Sequence, residues 1–102
     1  MKVLDYGFHD NNVLAAEWVD EDGKVYAHDW TVAEVGDELA YQDYCSTAYV
    51  NETGGMVCNM TDFLGYKPGE LVTPRELWQT LAADQREAVV RGLIEQLKSE
   101  TK

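Results

Sequence analysis

Three segments with the apolar and aromatic residues of strands lie within the first thirty positions of the chain. These are Lys2 to Phe8, Val13 to Val19 and Val25 to Trp30, and the last also alternates between apolar and polar residues. Polar turns separate them, and the second turn contains Asp22-Gly23, a pair that favours tight hairpins. The pattern therefore predicts an antiparallel β-meander at the N-terminus.

The middle of the chain has weaker patterns. Thr31-Val32-Ala33-Glu34 has the spacing of a helix capping box, but Gly36 and Asp37 favour an end within about two turns. Glu38 to Tyr44 is rich in aromatic residues and favours a further strand, whereas Asn51 to Met60 favours a loop followed by a short strand. The order of these strands does not follow from the sequence.

Helical periodicity is clearest in the last third. Thr73-Pro74-Arg75-Glu76 combines an N-cap threonine with proline at the first helical position, which predicts a helix from about Pro74 to Ala82. A second start signal predicts a helix from about Asp84 to Ser99. Apolar residues at helical spacing form one stripe on each helix: Leu77, Trp78 and Leu81 on the first, and Val89, Val90, Leu93, Ile94 and Leu97 on the second. Together these elements predict an α+β fold, in which a small antiparallel sheet packs against a C-terminal helical hairpin.

The charge of the chain is unevenly distributed. Its 102 residues fit one domain, and the net charge is −11. Residues 1–66 contain 13 acids against two bases, Lys2 and Lys24, whereas residues 67–102 contain six of each. The single domain 1–102 thus divides into an acidic, sheet-rich part (1–66) and a charge-neutral helical hairpin (67–102). An acidic field repels nucleic acid and membrane surfaces and attracts basic partners, so we expect no direct binding to nucleic acid.

Catalytic and metal chemistry find no support in the sequence. His9 and His28 lack the spacing of metal ligands, and Cys45 and Cys58 lie in a region without bases that would stabilise a thiolate. The 19 acids offer many carboxylate pairs for a glycosidase-like reaction, but nothing distinguishes one pair from another. We therefore predict a binding protein that is not an enzyme and has no catalytic residue, metal or cofactor.

The cellular compartment is predicted from apolar stretches and cysteines. The apolar stretches are far shorter than the roughly 20 residues that cross a bilayer, and no basic-then-apolar leader opens the chain. Two cysteines can form a bridge, but without an export signal the expected compartment is the cytoplasm, where thiols stay reduced.

The acidic part has the charge of a short DNA duplex. Duplex DNA carries one charge per roughly 1.7 Å of its axis, so a net charge of −11 corresponds to about 19 Å of duplex. If the carboxylates gather on one surface, a DNA-binding enzyme can bind this protein in place of DNA. The plainer interpretation is an acidic surface that keeps the protein in solution.

Three segments of the chain resemble, in order, those of the ArdA antirestriction proteins, acidic DNA mimics carried by plasmids, transposons and phages. In the first, Gly7 precedes the polar turn and Leu14-Ala15-Ala16-Glu17-Trp18 follows it. The second is Asp37 to Tyr44, an acidic segment that ends in an aromatic, a Gln, an Asp and an aromatic. The third consists of Leu77-Trp78, Leu81, Asp84 and Arg86-Glu87 and is similar to the family's Trp-bearing helix and the acidic helix start after it.

The resemblance implies an antidefence protein that occupies the DNA-binding groove of a Type I restriction-modification enzyme. The aromatic residues of these segments, namely Trp18, Tyr41, Tyr44 and Trp78, are also candidate core residues in any fold. Family members are longer and carry a dimer contact toward the C-terminus, so homodimer formation stays open. Residues 45–72 depart from the family pattern and the helical hairpin is neutral, which also leaves open a different target such as a CRISPR effector.

Under this hypothesis, carboxylates of the N-terminal two thirds each stand in for a phosphate and face Lys or Arg of the partner. The candidate residues are Asp10, Glu17, Asp20, Glu21, Asp22, Asp29, Glu34, Asp37, Glu38 and Asp43. The alternative is a protein-specific inhibitor or regulatory subunit, of the anti-CRISPR type for instance. Its interface is an aromatic and aliphatic patch, and the acids only steer the approach.

Overall fold

A computed structural model describes residues 1–46, 54–59 and 65–100. It begins with three antiparallel strands, β1 (Lys2–Phe8), β2 (Val13–Val19) and β3 (Val25–Thr31), which lie side by side in that order. The predicted meander is confirmed, and β3 is one residue longer than predicted. It ends at Thr31, which also starts the next element.

Local turn chemistry fixes the two hairpins. In the β2–β3 turn, Gly23 has φ +78° and its N–H donates to the carbonyl of Asp20 at 2.9 Å. Glycine adopts this left-handed conformation without a steric penalty. The Asp22 carboxylate accepts from the N–H of Lys24 at 3.0 Å. In the β1–β2 turn, Asn12 takes the left-handed position with φ +60°.

The strand register separates a buried from an exposed side of the sheet. Leu14, Ala16 and Trp18 of β2 are buried, and Glu17 between them is exposed. In β1, Asp5 lies opposite Glu17 in one continuous register with Tyr6, Gly7 and Phe8, and a register shift between Val3 and Asp5 displaces only the start of the strand. Strand β2 therefore places Leu14, Ala16 and Trp18 on the buried side of the sheet and Ala15 and Glu17 on the other side.

Helix α1 (Val32–Tyr41) corrects two expectations for the middle of the chain. The capping box of Thr31 and Glu34 is present, but the helix continues through Gly36, and the strand predicted from Glu38 to Tyr44 is wrong. Burial decides the outcome, because Val35 and Leu39 are fully buried at helical spacing. Their burial outweighs the cost of about 1 kcal/mol for glycine inside a helix.

Two short strands follow. β4 (Met56–Val57) pairs with β5 (Leu71–Val72) in antiparallel orientation, and an isolated bridge joins Cys45 to Cys58. β4 confirms the short strand predicted within Asn51 to Met60, and the loop predicted before it lies largely outside the described residues. The pattern did not predict β5.

The helical hairpin is confirmed. Helix α2 (Pro74–Thr80) starts at the predicted proline, with Thr73 as its N-cap, and ends two residues early. Helix α3 (Ala83–Glu100) covers the predicted range and one residue at each end. All predicted stripe residues are buried except Leu97, which is half-buried.

The helices cover the inner side of the three-stranded sheet. Tyr6 and Phe8 of β1 contact the ring of Trp78 edge-on, with centroids 5.8 and 5.6 Å apart. Buried residues of strands and helices form one cluster, as expected for the α+β fold. In residues 1–46, 54–59 and 65–100, no helix is long and apolar enough to span a bilayer.

Candidate acidic binding surface

The side of the sheet that faces away from the helices carries three carboxylates. We call the surface formed by Asp5, Gly7, Ala15, Glu17, Ala27 and Asp29 the outer sheet face. Asp5 lies opposite Glu17, and Asp29 lies opposite Ala15 on the neighbouring strand. All three acids are exposed. Each of the three strands thus contributes one carboxylate to the same face.

Small side chains keep this face shallow and open. Gly7, Ala15 and Ala27 form part of the floor of a depression of about 290 Å³, and the three acids also line it. Directly opposite residues have Cβ atoms roughly 5 Å apart and diagonal neighbours roughly 7–8 Å, so the carboxylates lie within mutual repulsion. Lys2 is the only lysine or arginine within the three strands.

A second acidic group lies beside β3. A groove of about 190 Å³ between β3, α1 and α3 is lined by Glu34, Asp37 and Glu100 together with His28, Gln96 and apolar residues. Glu34 is held at the start of α1, because its carboxylate accepts from the N–H of Thr31 at 3.4 Å. The edge strand β3 therefore has Asp29 on its outer side and this groove on its inner side.

The three acids of the β2–β3 turn are engaged within the molecule. Asp20 forms an ion pair with Lys98 at 2.7 Å, and this hydrogen bond raises the pKa of Lys98. Glu21 binds the amino group of Met1 at 2.8 Å, which is the largest cause of the fall in its pKa to about 2. Asp22 supports the turn. These acids are exposed or half-buried, but two of them already have a cationic partner.

Two further candidates lie apart from these groups. Asp10 is exposed in the β1–β2 turn, and Asp43 is exposed just after α1 with φ +68°. In the described parts of the chain, no ion pair joins a base to Asp5, Asp10, Glu17, Asp29, Glu34, Asp37 or Asp43. The candidate acids therefore occupy several surfaces, and the outer sheet face and the β3 groove each contain more than one unpaired carboxylate.

Glu38 is a correction to the candidate set. Its side chain is 1% exposed, and its carboxylate accepts from the side-chain amides of Gln42 at 2.6 Å and Gln96 at 2.5 Å. Burial raises the pKa of Glu38. Because it faces α3 from the inner side of α1, Glu38 is not part of an exposed acidic surface.

The arginines of the helical hairpin make internal contacts. Arg75 lies over the ring of Phe8 and donates to the carbonyl of His9 at 3.2 Å. Arg86 lies over Trp78 and donates to its carbonyl at 3.1 Å. Arg91 pairs with Glu87 at 3.1 Å. These bases lie on the helices and stabilise the fold there, away from the outer sheet face.

Tyr41 also departs from expectation. Trp18 and Trp78 are buried and Tyr44 is half-buried, as candidate core residues should be, but Tyr41 is 80% exposed. It lines a wide groove of about 500 Å³ between α1 and α3, together with Gln42, Arg91 and Glu95. An exposed aromatic side chain at a groove is typical of contact residues in protein interfaces.

The sequence hypothesis also missed Asp5. Tyr6 and Phe8 face the helices, so alternation along β1 places Asp5 and Gly7 on the opposite, outer side, and this pattern is the signal that could have identified Asp5. In the described residues, no three His, Cys, Asp or Glu side chains are arranged to hold a metal ion. The arrangement instead offers open, anionic surfaces suited to cationic side chains.

The fold and these surfaces define an acidic α+β protein with an open, carboxylate-bearing sheet. Comparison of the chain with protein-family models, with curated proteins and with solved structures found no match. The resemblance to ArdA proteins therefore stays a prediction.

Proposed function

We propose that this protein is an antidefence protein that mimics DNA and occupies the DNA-binding groove of a restriction-modification enzyme. The observation that carries the proposal is the row of Asp5, Glu17 and Asp29 across the solvent side of the sheet, without an ion pair among the described residues. A basic groove gains charge-assisted hydrogen bonds with such a row. No catalytic step is involved.

Charge density sets how much surface the partner must contact. Three strands span two gaps of about 4.8 Å, and a duplex of the same length carries about six charges. The outer sheet face supplies three. Further unpaired acids, such as Asp10, Glu34 and Asp37, must contribute to the same contact if the match to duplex charge is to be complete. The proposed interface therefore extends beyond the sheet toward the β1–β2 turn and the β3 groove.

Inhibition of a purified Type I restriction-modification enzyme tests the proposal. We expect the wild-type protein to block DNA binding and cleavage at low salt. The inhibition should weaken steeply as salt rises and as unrelated duplex DNA is added, because both compete for the same basic groove. If the protein binds the enzyme equally well in high salt and excess duplex, mimicry is wrong.

Charge variants locate the interface. The variant D5N/E17Q/D29N removes three negative charges from the outer sheet face. E70Q/E76Q/E95Q removes the same number from exposed positions outside it. Exposed charge pairs contribute about 0.2–1 kcal/mol each, so we expect the first variant to lose roughly 3- to 100-fold in affinity and the control to lose little. Equal losses in both variants would contradict a role for the outer sheet face.

Tyr41 supports a second candidate, a protein-specific inhibitor or regulatory binder. Its exposed ring beside the α1–α3 groove has the character of an interface hot spot. In that case Tyr41→Ala weakens binding strongly, and neither salt nor duplex DNA has much effect. Under mimicry, Tyr41→Ala leaves inhibition nearly unchanged. The two candidates therefore predict opposite responses to one substitution.

A further inference from the structure

Cys45 and Cys58 lie directly opposite each other in an antiparallel bridge. The N–H of Ser46 donates to the carbonyl of Val57 at 2.5 Å beside this bridge, which makes the cysteines a non-hydrogen-bonded pair. In such pairs the Cα atoms are roughly 4.5 Å apart and the side chains are close. This separation lies within the range of about 4.4–6.8 Å that disulfides span.

The surroundings of the bridge enclose both thiols. Each cysteine is 1% exposed and belongs to the hydrophobic core cluster. The Cys58 thiol also donates to the carbonyl of Tyr44 at 3.6 Å. Burial, with a smaller effect from the Cys58 side chain, raises the pKa of Cys45 to about 12. Both thiols are free and shielded from solvent in the folded protein.

We propose that Cys45 and Cys58 are a redox site that forms an intramolecular disulfide by exchange with a low-molecular-weight disulfide such as oxidised glutathione. One protein thiolate attacks the glutathione disulfide, forms a mixed disulfide and releases one glutathione thiolate. The second protein thiolate attacks the protein sulfur of the mixed disulfide and releases the other. The two protons lost by the cysteines pass to the two glutathione thiolates, so the protein is oxidised by two electrons and glutathione disulfide is reduced.

The cross-link joins the chain after α1 to the residue that follows β4. It closes the segment between positions 45 and 58, whose two ends already lie opposite each other. A disulfide restricts the unfolded chain more than the folded one, so oxidation stabilises the fold. Because the thiols are buried and poorly ionised, exchange needs local opening, and oxidation is slow in the native state.

Mass spectrometry of the full chain tests the site. The protein is incubated with oxidised glutathione in low urea, quenched with acid, and alkylated after unfolding. We expect a product that lacks two hydrogen masses, takes up no alkylating agent and contains a peptide joining Cys45 to Cys58. Glutathione adducts that persist at equilibrium, a disulfide-linked dimer, or two alkylated thiols would overturn the proposal.

Stability and single-cysteine variants supply the controls. We expect the oxidised protein to have a Tm roughly 5–15 °C above the reduced one, and a thiol reductant to reverse the rise. Cys45→Ala and Cys58→Ala cannot form the internal disulfide, so the same treatment should leave each with a glutathione adduct. An oxidised protein that melts below the reduced one would show that the register does not suit the bond, and would contradict the proposal.

Discussion

Glu38 shows how the environment of one residue changes the role of its side chain. Its carboxylate is buried between α1 and α3 and accepts hydrogen bonds from two glutamine side chains. Desolvation disfavours the charged form more than the bond from Gln42 favours it, so the pKa of Glu38 lies above its ordinary value of 4.5. Folding therefore holds a proton on Glu38 that the unfolded chain loses at lower pH.

Because of this proton, the free energy of unfolding depends on pH through Glu38. Between pH 4.5 and the raised pKa of Glu38, the folded state binds more protons than the unfolded state. The contribution of Glu38 to the free energy of unfolding therefore falls as pH rises through this window. We expect Glu38→Gln to gain stability relative to wild type across the same window, measured by urea unfolding from about pH 4 to pH 8. Asp37→Asn, an exposed neighbour on α1, is the control, and a constant difference between Glu38→Gln and wild type would contradict the assignment.

At the scale of elements, α1 and α3 approach each other at Gly92. A Cβ atom added there would lie 2.7 Å from the Cδ of Glu38 and 3.0 Å from Nε2 of Gln42, and closer still to a carboxylate oxygen of Glu38. Glycine inside α3 therefore provides the space for the buried Glu38 side chain. In an open helix the same glycine would only cost stability.

The sign of the change in the free energy of unfolding caused by Gly92→Ala tests this packing. In a helix without contacts, alanine stabilises by up to about 1 kcal/mol, but here we expect a loss of about 1–3 kcal/mol from overpacking. In the background of Glu38→Ala the clash with the carboxylate disappears and only the close contact with Gln42 is left, so the same substitution should cost much less. Chemical denaturation of the four proteins gives the coupling between the two positions. Additive effects would show that Gly92 does not make room for Glu38.

The sequence predicted elements whose signals are local. The meander strands and helices α2 and α3 follow from alternation, the Asp22-Gly23 turn and the Thr73 cap. It failed where tertiary contacts decide, because the extension of α1 through Gly36 depends on the burial of Val35 and Leu39. For the candidate surface, the sequence included Glu17 and Asp29 among the acids of the N-terminal two thirds. It missed Asp5, although alternation with Tyr6 and Phe8 places this residue on the outer side. It wrongly included Glu38, since packing against α3 leaves no local signal.

At the scale of the whole molecule, charge separates the two sides of the sheet. The arginines lie on the helices in internal contacts, whereas the outer sheet face carries unpaired carboxylates. Like charges on opposite positions of a sheet destabilise it. A surface that lowers stability in this way is expected at a functional site, where binding rather than folding determines the residues.

The thermal stability of the charge variants measures that cost independently of any partner. Removing the repulsion between three carboxylates should contribute about 1 kcal/mol, so we expect D5N/E17Q/D29N to raise the Tm by roughly 3–8 °C at low ionic strength. The gain should shrink in about 1 M salt, where screening acts over about 3 Å.

E70Q/E76Q/E95Q, with the same change in net charge, should give a smaller rise, because Glu70 accepts a hydrogen bond from the N–H of Lys67 and Glu76 lies in the first turn of α2. Equal rises would indicate that net charge alone sets the repulsion, and a fall in Tm for the outer-face variant would show that these acids stabilise the sheet. Only a larger rise for the outer-face variant identifies this face as one whose charges oppose folding, and it is this face that a basic partner would neutralise.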